Sequence, residues 1–394
     1  MPNNKASLLI IFLVVFIDLI GFGIVIPILP YYAHSFGASG ETLGWLMASY
    51  SAAQFLCAPF WGRLSDHFGR RPVLIATMIG SAASLALTAS ASSLTQIFIA
   101  RILAGLFGAN ISTASAYIAD VTSEADRAKG MGLIGAAFGI GFVVGPAVGG
   151  ILSRWGYATP FLFASGLACL NTLFAIWKLR EPPTTAGVRE INRLARRISR
   201  ERLRTAFGDA RTRLAIVVFF LGTVAIAQLE VTFALYMKAM HGFNAEKAGW
   251  YLAFMGLAMA VIQGGLIGKL SRKFGERRLI ICGTFIMAGA MVWFASLQTA
   301  GIWAFAALGL LAVGNGITNP SLSSLASKGA LKNQLGATMG VYQSAGSLAR
   351  ILAPPMAGVL YDRATIQSPF YCAAILMAIA CVGVFFGSKQ PMGR

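Results

Sequence analysis

Four charged side chains stand inside long apolar runs of this sequence and are its best candidates for chemistry: Asp18, Arg101, Glu230 and Arg350. A charge near the middle of a bilayer costs about 3 kcal/mol even on the lenient insertion scale, so such residues usually face a cavity and serve a function. Burial disfavours a carboxylate's charged form and a neighbouring cation restores it, which is the behaviour a proton carrier needs. Asp18 lies mid-run with no local counter-charge and is the first candidate carrier. Glu230, nearer the end of its run, is the second, and Arg101 is expected to stabilise the ionised acid. The competing reading is an ion pair that only ties helices together.

Other chemistry finds little support. H-E-x-x-H, G-x-S-x-G and the Walker-type glycine loop are all missing, so neither a membrane hydrolase nor direct ATP drive is indicated. His34, His67 and His241 are far apart without metal-ligand spacing, and the five cysteines are odd in number and lie inside apolar runs. No metal, cofactor or disulfide is expected, and the chain is not expected to be an enzyme.

The elements that must position these charges are membrane helices. Of 394 residues, 57% are hydrophobic and 12% charged, and mean hydropathy is +0.70. An ordinary soluble domain carries roughly 25% charged residues. Apolar runs of bilayer-crossing length cover 8–32, 43–61, 73–92, 94–118, 131–152, 159–177, 214–237, 246–267, 279–297, 301–324, 335–358 and 368–387, here spans 1 to 12. Span 1 is too long for a signal peptide and lacks its cleavage pattern, so it is expected to stay as a helix. The seven tryptophans lie near span ends, where headgroups favour them.

The net charge of +18 takes its meaning from its placement. Lys and Arg crowd the loops 62–72, 178–213 and 268–278, while Arg154, Lys238, Lys247 and Arg363 alone fall on the opposite side. That is the positive-inside pattern. It predicts cytoplasmic termini and an attraction to anionic lipid rather than nucleic acid, in a multi-pass membrane protein. The basic stretch 178–213 is expected to be a cytoplasmic linker between a first half, 1–177, and a second, 214–394. Within it 188–204 has the spacing either of an amphipathic helix on the membrane or of a solvated connector.

The halves are related. Gly62-Arg-Leu-Ser-Asp-His-Phe-Gly-Arg-Arg71 follows span 2 and Gly268-Lys-Leu-Ser-Arg-Lys-Phe-Gly-Glu-Arg277 follows span 8, with six of ten positions identical. Gly44 and Trp45 recur as Gly249 and Trp250, and Pro146 and Gly150 of span 5 recur as Pro354 and Gly358 of span 11. A duplicated six-helix unit is a parallel repeat of the kind secondary transporters use. In span 4, Arg101, Gly105, Gly108, Ser112 and Ser115 form one small-residue stripe, and in span 5 Gly141, Gly145 and Gly149 recur every four residues beside Pro146. Such stripes allow close packing, whether fixed or moving.

On these motifs the chain resembles the major facilitator superfamily, and within it the drug:proton antiporters of the tetracycline-exporter type. The loop Gly62 to Arg71, the span 5 run Gly141 to Gly150, the span 1 run Asp18 to Pro30 and Arg101 carry the resemblance. It implies an all-α membrane fold of twelve transmembrane helices in two six-helix halves, and export of small amphipathic or drug-like molecules against inward protons by alternating access. Multidrug efflux and antibiotic resistance are the expected roles; a polar metabolite or siderophore-like substrate is the alternative, and a receptor or assembly factor without transport a third reading. The resemblance further implies a gating latch of Gly62, Asp66, Gly69, Arg70, Arg71 and Asp120 acting against span 11, and an antiporter motif of Gly141, Gly145, Pro146, Gly149 and Gly150. In the second copy Arg272 replaces the acid and Glu276 the arginine, so only the first half is expected to hold the full latch. Ser84, Met259 and Met287 stand where tetracycline exporters carry two acids and a histidine, which argues against a metal-chelate substrate. The expected substrate contacts are Tyr50, Gln54, Asn110, Gln228, Met259, Gln263, Tyr342, Gln343 and Arg350, in a monomer whose partners are substrate, protons and the bilayer.

Overall fold

The helices begin where the local chemistry caps them. Ser39, Ser93, Asp209 and Asn244 each accept a backbone N–H three residues on, from Thr42, Gln96, Thr212 and Lys247, which satisfies donors a helix start leaves orphaned. Gly242, left-handed at φ 63°, ends the helix that Asp209 begins. The computed structural model describes residues 4–122, 124–182, 209–329 and 335–387, so the expected amphipathic segment 188–204 lies outside the described residues.

The helices are α1 (Asn4–Ser35), α2 (Gly40–Phe68), α3 (Arg70–Ala89), α4 (Leu94–Leu106), α5 (Asn110–Val121), α6 (Glu124–Leu152), α7 (Ala158–Lys178), α8 (Ala210–His241), α9 (Ala245–Val261), α10 (Ile267–Phe274), α11 (Glu276–Ser296), α12 (Ile302–Gly329), α13 (Leu335–Arg363) and α14 (Ser368–Phe386). All twelve expected spans are present. Span 4 is broken into α4 and α5, and span 8 passes from α9 to α10 through one π-helical stretch, Ile262–Leu266. Among the described residues ten spans are apolar enough to cross a membrane by composition alone. The other two, α2 and α13, carry more polar side chains, and they face each other across the two halves.

Large apolar side chains such as Leu56, Leu162, Leu170, Phe285, Ile302 and Ile375 are exposed. In water so large an apolar surface would drive association; in lipid it is the solvated surface.

Within the first half α1 packs on α6, and the Gly141, Gly145, Gly149 stripe is what brings them together: a Cβ on Gly145 would stand 2.6 Å from the Gly23 Cα. That stripe is therefore a seam inside one half. The contact between halves uses other positions. α6 meets α9 through Gly139, Phe142, Pro146 and Gly150 against Ala260, Gly256, Gly249 and Glu246, and α2 meets α13 through Gly40 and Gly44 against Gly358 and Pro354. Both seams are tight toward the face carrying residues 36–39, 153–157 and 364–367. Farther along the same helix faces a Cβ on Gly132 or Gly135 of α6, on Gly264 or Gly268 of the span facing it, or on Gly340 of α13 would meet nothing within 4 Å. The halves touch at one face and splay toward the other.

Charges secure the closed face. Arg363 Nη2 donates to Glu41 Oε2 at 3.0 Å, and Arg154 Nε donates to Glu246 Oε2 at 2.8 Å. Asp362 accepts the Gly40 and Glu41 N–H groups at 3.0 and 2.7 Å. Glu41 and Glu246 occupy equivalent places, each second in its helix, so the closure is nearly symmetric.

Candidate functional site

Between the halves, inward of the closed face, lies a cavity of about 230 Å³. Asp18 of α1, Arg101 of α4, Glu230 of α8 and Arg350 of α13 all line it, so the four intramembrane charges converge from both halves.

The break in span 4 shapes the first half of the site. Phe107, Gly108 and Ala109 interrupt the helix, which frees carbonyls that a continuous helix would use. Side chains of α2 take them: Trp61 Nε1 donates to the Leu106 carbonyl at 2.5 Å and Gln54 Nε2 to the Gly108 carbonyl at 2.6 Å. The restart puts Asn110 first in α5, where its Nδ2 donates to Asp18 Oδ1 at 2.9 Å. Asp18 is thus held by an amide and by the positive end of a helix dipole.

Arg101 is elsewhere engaged. It is 6% exposed, and its Cζ lies 4.3 Å from the Tyr50 ring centroid, a cation–π contact. Its Nε has no hydrogen-bond partner, and among the described residues no ion pair joins it to Asp18. The support expected of Arg101 for the ionised Asp18 does not take the form of an ion pair: Asn110 bonds the carboxylate, and Tyr50 stacks on the Arg101 cation. Glu230 interacts electrostatically with Arg350, yet the two form no ion pair.

Of the expected substrate contacts, Tyr50, Gln54, Asn110 and Arg350 line the cavity, and Gln228, Met259, Gln263, Tyr342 and Gln343 do not. Tyr342 stacks on Phe219 with centroids 4.0 Å apart, Met259 Sδ accepts from Asn315 at 3.2 Å, and Gln228 is fully buried. The cavity adds Phe22, Ser51, Ser81 and Phe142; the repeat and the small-residue stripes gave no signal for the facing of those four.

The latch residues meet at the opposite end of the first half. Gly69, at φ 107°, turns α2 into α3, a backbone state favouring glycine. Arg70 then reaches back: Nη1 to Asp66 Oδ1 at 2.6 Å, Nε to Asp120 Oδ2 at 2.8 Å, and Nη1 to Ser65 Oγ at 2.7 Å. Ser65 Oγ donates to the Gly62 carbonyl at 3.0 Å. Sequence reasoning missed Glu181, whose carboxylate accepts the Arg70 and Arg71 N–H groups at 2.6 and 2.9 Å and caps α3, while Arg71 Nη2 bonds the Ile176 carbonyl. The second half has its own version with the signs exchanged: Glu276, starting α11, pairs with Lys328 in the last turn of α12 and accepts from Ser324 Oγ at 3.0 Å.

Twelve membrane helices in two halves around a charged central cavity define the class of a secondary transporter. The family model described as Major Facilitator Superfamily matches residues 11–354, and the chain belongs to that superfamily. It is 30% identical over 388 residues to the class B tetracycline resistance protein of Escherichia coli, covering 95% of this chain and 96% of that one. It is 29% identical over 394 residues to multidrug resistance protein 2 of Bacillus subtilis strain 168, covering 96% and 94%. The solved structure of a bacterial homologue of the human lysosomal transporter Spinster shares the fold, with a TM-score of 0.83, 16% identity and 99% and 98% of the two chains covered.

Proposed function

We propose that this protein exports small amphipathic, drug-like molecules across a bacterial inner membrane in exchange for protons, by alternating access to the central cavity. The single observation that carries the reading is Asp18: a carboxylate in a mid-membrane cavity shared by both halves, held by Asn110 and by no cation. Such a group can be neutral while enclosed and ionised when opened to water, which couples its proton to the conformation. The names of the relatives, tetracycline and multidrug resistance proteins, support a drug-like cargo.

In this reading residues 1–177 and 214–394 rock about the cavity, joined by the basic linker 178–213, and one monomer suffices. The basic face is cytoplasmic, so the conformation described, closed at the other face, is inward-facing. The cluster of Asp66, Arg70 and Asp120 engages α13 when that face closes. Tyr50, Gln54, Phe22 and Phe142 supply contacts to cargo, and Asp18 exchanges the proton.

The test is Asp18→Asn in proteoliposomes under an imposed pH gradient, with ethidium and a panel of amphipathic drugs as cargo. The amide mimics the protonated acid, so gradient-driven uphill flux should vanish while folding and cargo binding persist. Undiminished gradient-driven flux through Asp18→Asn would show that the proton travels by another group.

A further inference from the structure

The two halves are duplicates, yet one span of the second is longer by a residue. At the closed face Gly44 of α2 packs on Pro354 just as Gly249 of α9 packs on Pro146, so these two glycines are equivalent. At the other end Gly69 (φ 107°) and Gly275 (φ 75°) make the same turn into α3 and α11. Gly69 follows Gly44 by 25 positions, whereas Gly275 follows Gly249 by 26. An extra residue in an α-helix would turn everything beyond it by about 100° and advance it by about 1.5 Å. The π-helical stretch Ile262–Leu266 absorbs it: the Ile267 N–H donates to the Ile262 carbonyl five residues back, the wide turn that a single added residue makes. The repeated loop thereby keeps its place, and the insertion leaves only a local bulge.

Its position gives the bulge a use. Toward the open face, the last glycine contact between α6 and this span sets Gly139 against Ala260, and the π stretch begins two residues later. Ile262 anchors it to Gly316 of α12 in its own half, while a Cβ added at Gly264, Gly265 or Gly268 would meet nothing within 4 Å. π turns are places where helices bend. In α2 the same level carries Pro59, which lacks the N–H that would close the helical turn on Phe55. Each half thus weakens its seam-forming span at one depth, by different chemistry. Resting on the alternating-access reading, we infer that the π turn is the hinge about which α10 swings toward α6 to close the open face. Gly132 and Gly135 of α6, which also have open space beside them, receive it, and α9 carries the contacts of the other face.

Deletions test this. Removing Gly264 should convert span 8 into a regular helix of the first-half length with the repeated loop still in register, so the full-length protein in detergent should unfold within a few degrees of the unaltered one. Removing Ala58 of α2, at the same level but with no bulge to absorb the loss, should rotate the loop that holds Asp66 and Arg70 and lower the unfolding temperature far more. Closure is read from the distance between spin labels on cysteines at Met131 and Lys269, both exposed, as pH is varied with ethidium present. Bending a regular helix there breaks about one more backbone hydrogen bond than bending the π turn, so the short-distance population should fall about tenfold on deletion of Gly264. Gly264→Ala with Gly265→Ala keeps the residue count and favours a straight helix, and should lower the same population severalfold. A Gly264 deletion as damaging as that of Ala58, or an unchanged short-distance population in either Gly264 variant, overturns the hinge. Should the unaltered protein show a single distance distribution under every condition, alternating access itself falls, and the hinge with it.

Discussion

Removing the Asp362 carboxylate should loosen the closed face by an amount the geometry sets. This one side chain of α13 accepts the first two N–H groups of α2, at 3.0 and 2.7 Å, and so bridges the halves where they touch. Bonds to a charged acceptor contribute ~1.5–3 kcal/mol when buried. Water replaces these two once the seam opens, so about 1 kcal/mol each is the fitting figure. The total, ~2 kcal/mol, is about thirtyfold in the ratio of opened to closed molecules for Asp362→Ala. Asp362→Asn keeps one neutral acceptor and should shift the ratio by about tenfold or less. Arg363→Gln should shift it only about twofold, because Arg363 is 71% exposed and a surface pair contributes about 0.5 kcal/mol. The assay is double electron–electron resonance between spin labels on cysteines at Ser35 and Ala364, in protein whose five native cysteines have been replaced. The long-distance population should grow in the order Arg363→Gln, Asp362→Asn, Asp362→Ala. An unchanged distribution in Asp362→Ala, or an equal shift from Arg363→Gln, would refute the reasoning.

Other consequences are testable in the same system. Asp66→Asn should impair transport severely and Arg272→Gln mildly, since Arg70 bonds Asp66 whereas Arg272 Nε bonds only a backbone carbonyl in its own helix, that of Gly268; equal losses in a flux assay would remove the asymmetry. Glu276→Lys alone should lower activity and the exchange Glu276→Lys with Lys328→Glu should restore it; a double variant no better than the single one would show the pair is incidental. Gly145→Leu has no space against Gly23 and should lower the unfolding temperature, with a cost of about 3 kcal/mol or more; a melting curve like that of the unaltered protein would contradict the α1–α6 packing. An impermeant thiol reagent applied to intact cells should label a cysteine at Ala364 and leave one at Ser199 untouched, and the opposite pattern would invert the proposed orientation.

Hydropathy and the repeat made the twelve spans legible, even α2 and α13, whose polar content hides them from composition alone. Charge type and depth also exposed Asp18, Arg101, Glu230 and Arg350, because an apolar run leaves a charge no inconspicuous place. Their partners were not legible. The Asn110 bond to Asp18 depends on a break in span 4, and that break depends on Trp61 and Gln54, some fifty residues earlier; a helical stripe drawn through Arg101, Gly105 and Gly108 assumes continuity and hides it. Met259, Gln263 and Tyr342 stand outside the cavity lining for a related reason. Residue type alone does not fix which face of a span turns to the cavity, and Tyr342 packs on Phe219. The reversed pair of Glu276 and Lys328 looked like a lost latch because only one partner lay inside the repeated loop.

The interrupted span 4 also bears on how the chain enters its membrane. Backbone carbonyls left bare in hydrocarbon cost several kcal/mol each, so α4 and α5 make a poor span when released alone into lipid. The groups that cover Leu106 and Gly108 belong to α2, which leaves the ribosome earlier. Span 2 must therefore linger beside the insertion channel until span 4 arrives, and the two must enter lipid as a unit. Folding of the first half is in this respect ordered by synthesis: the donor is made first and waits for its acceptors.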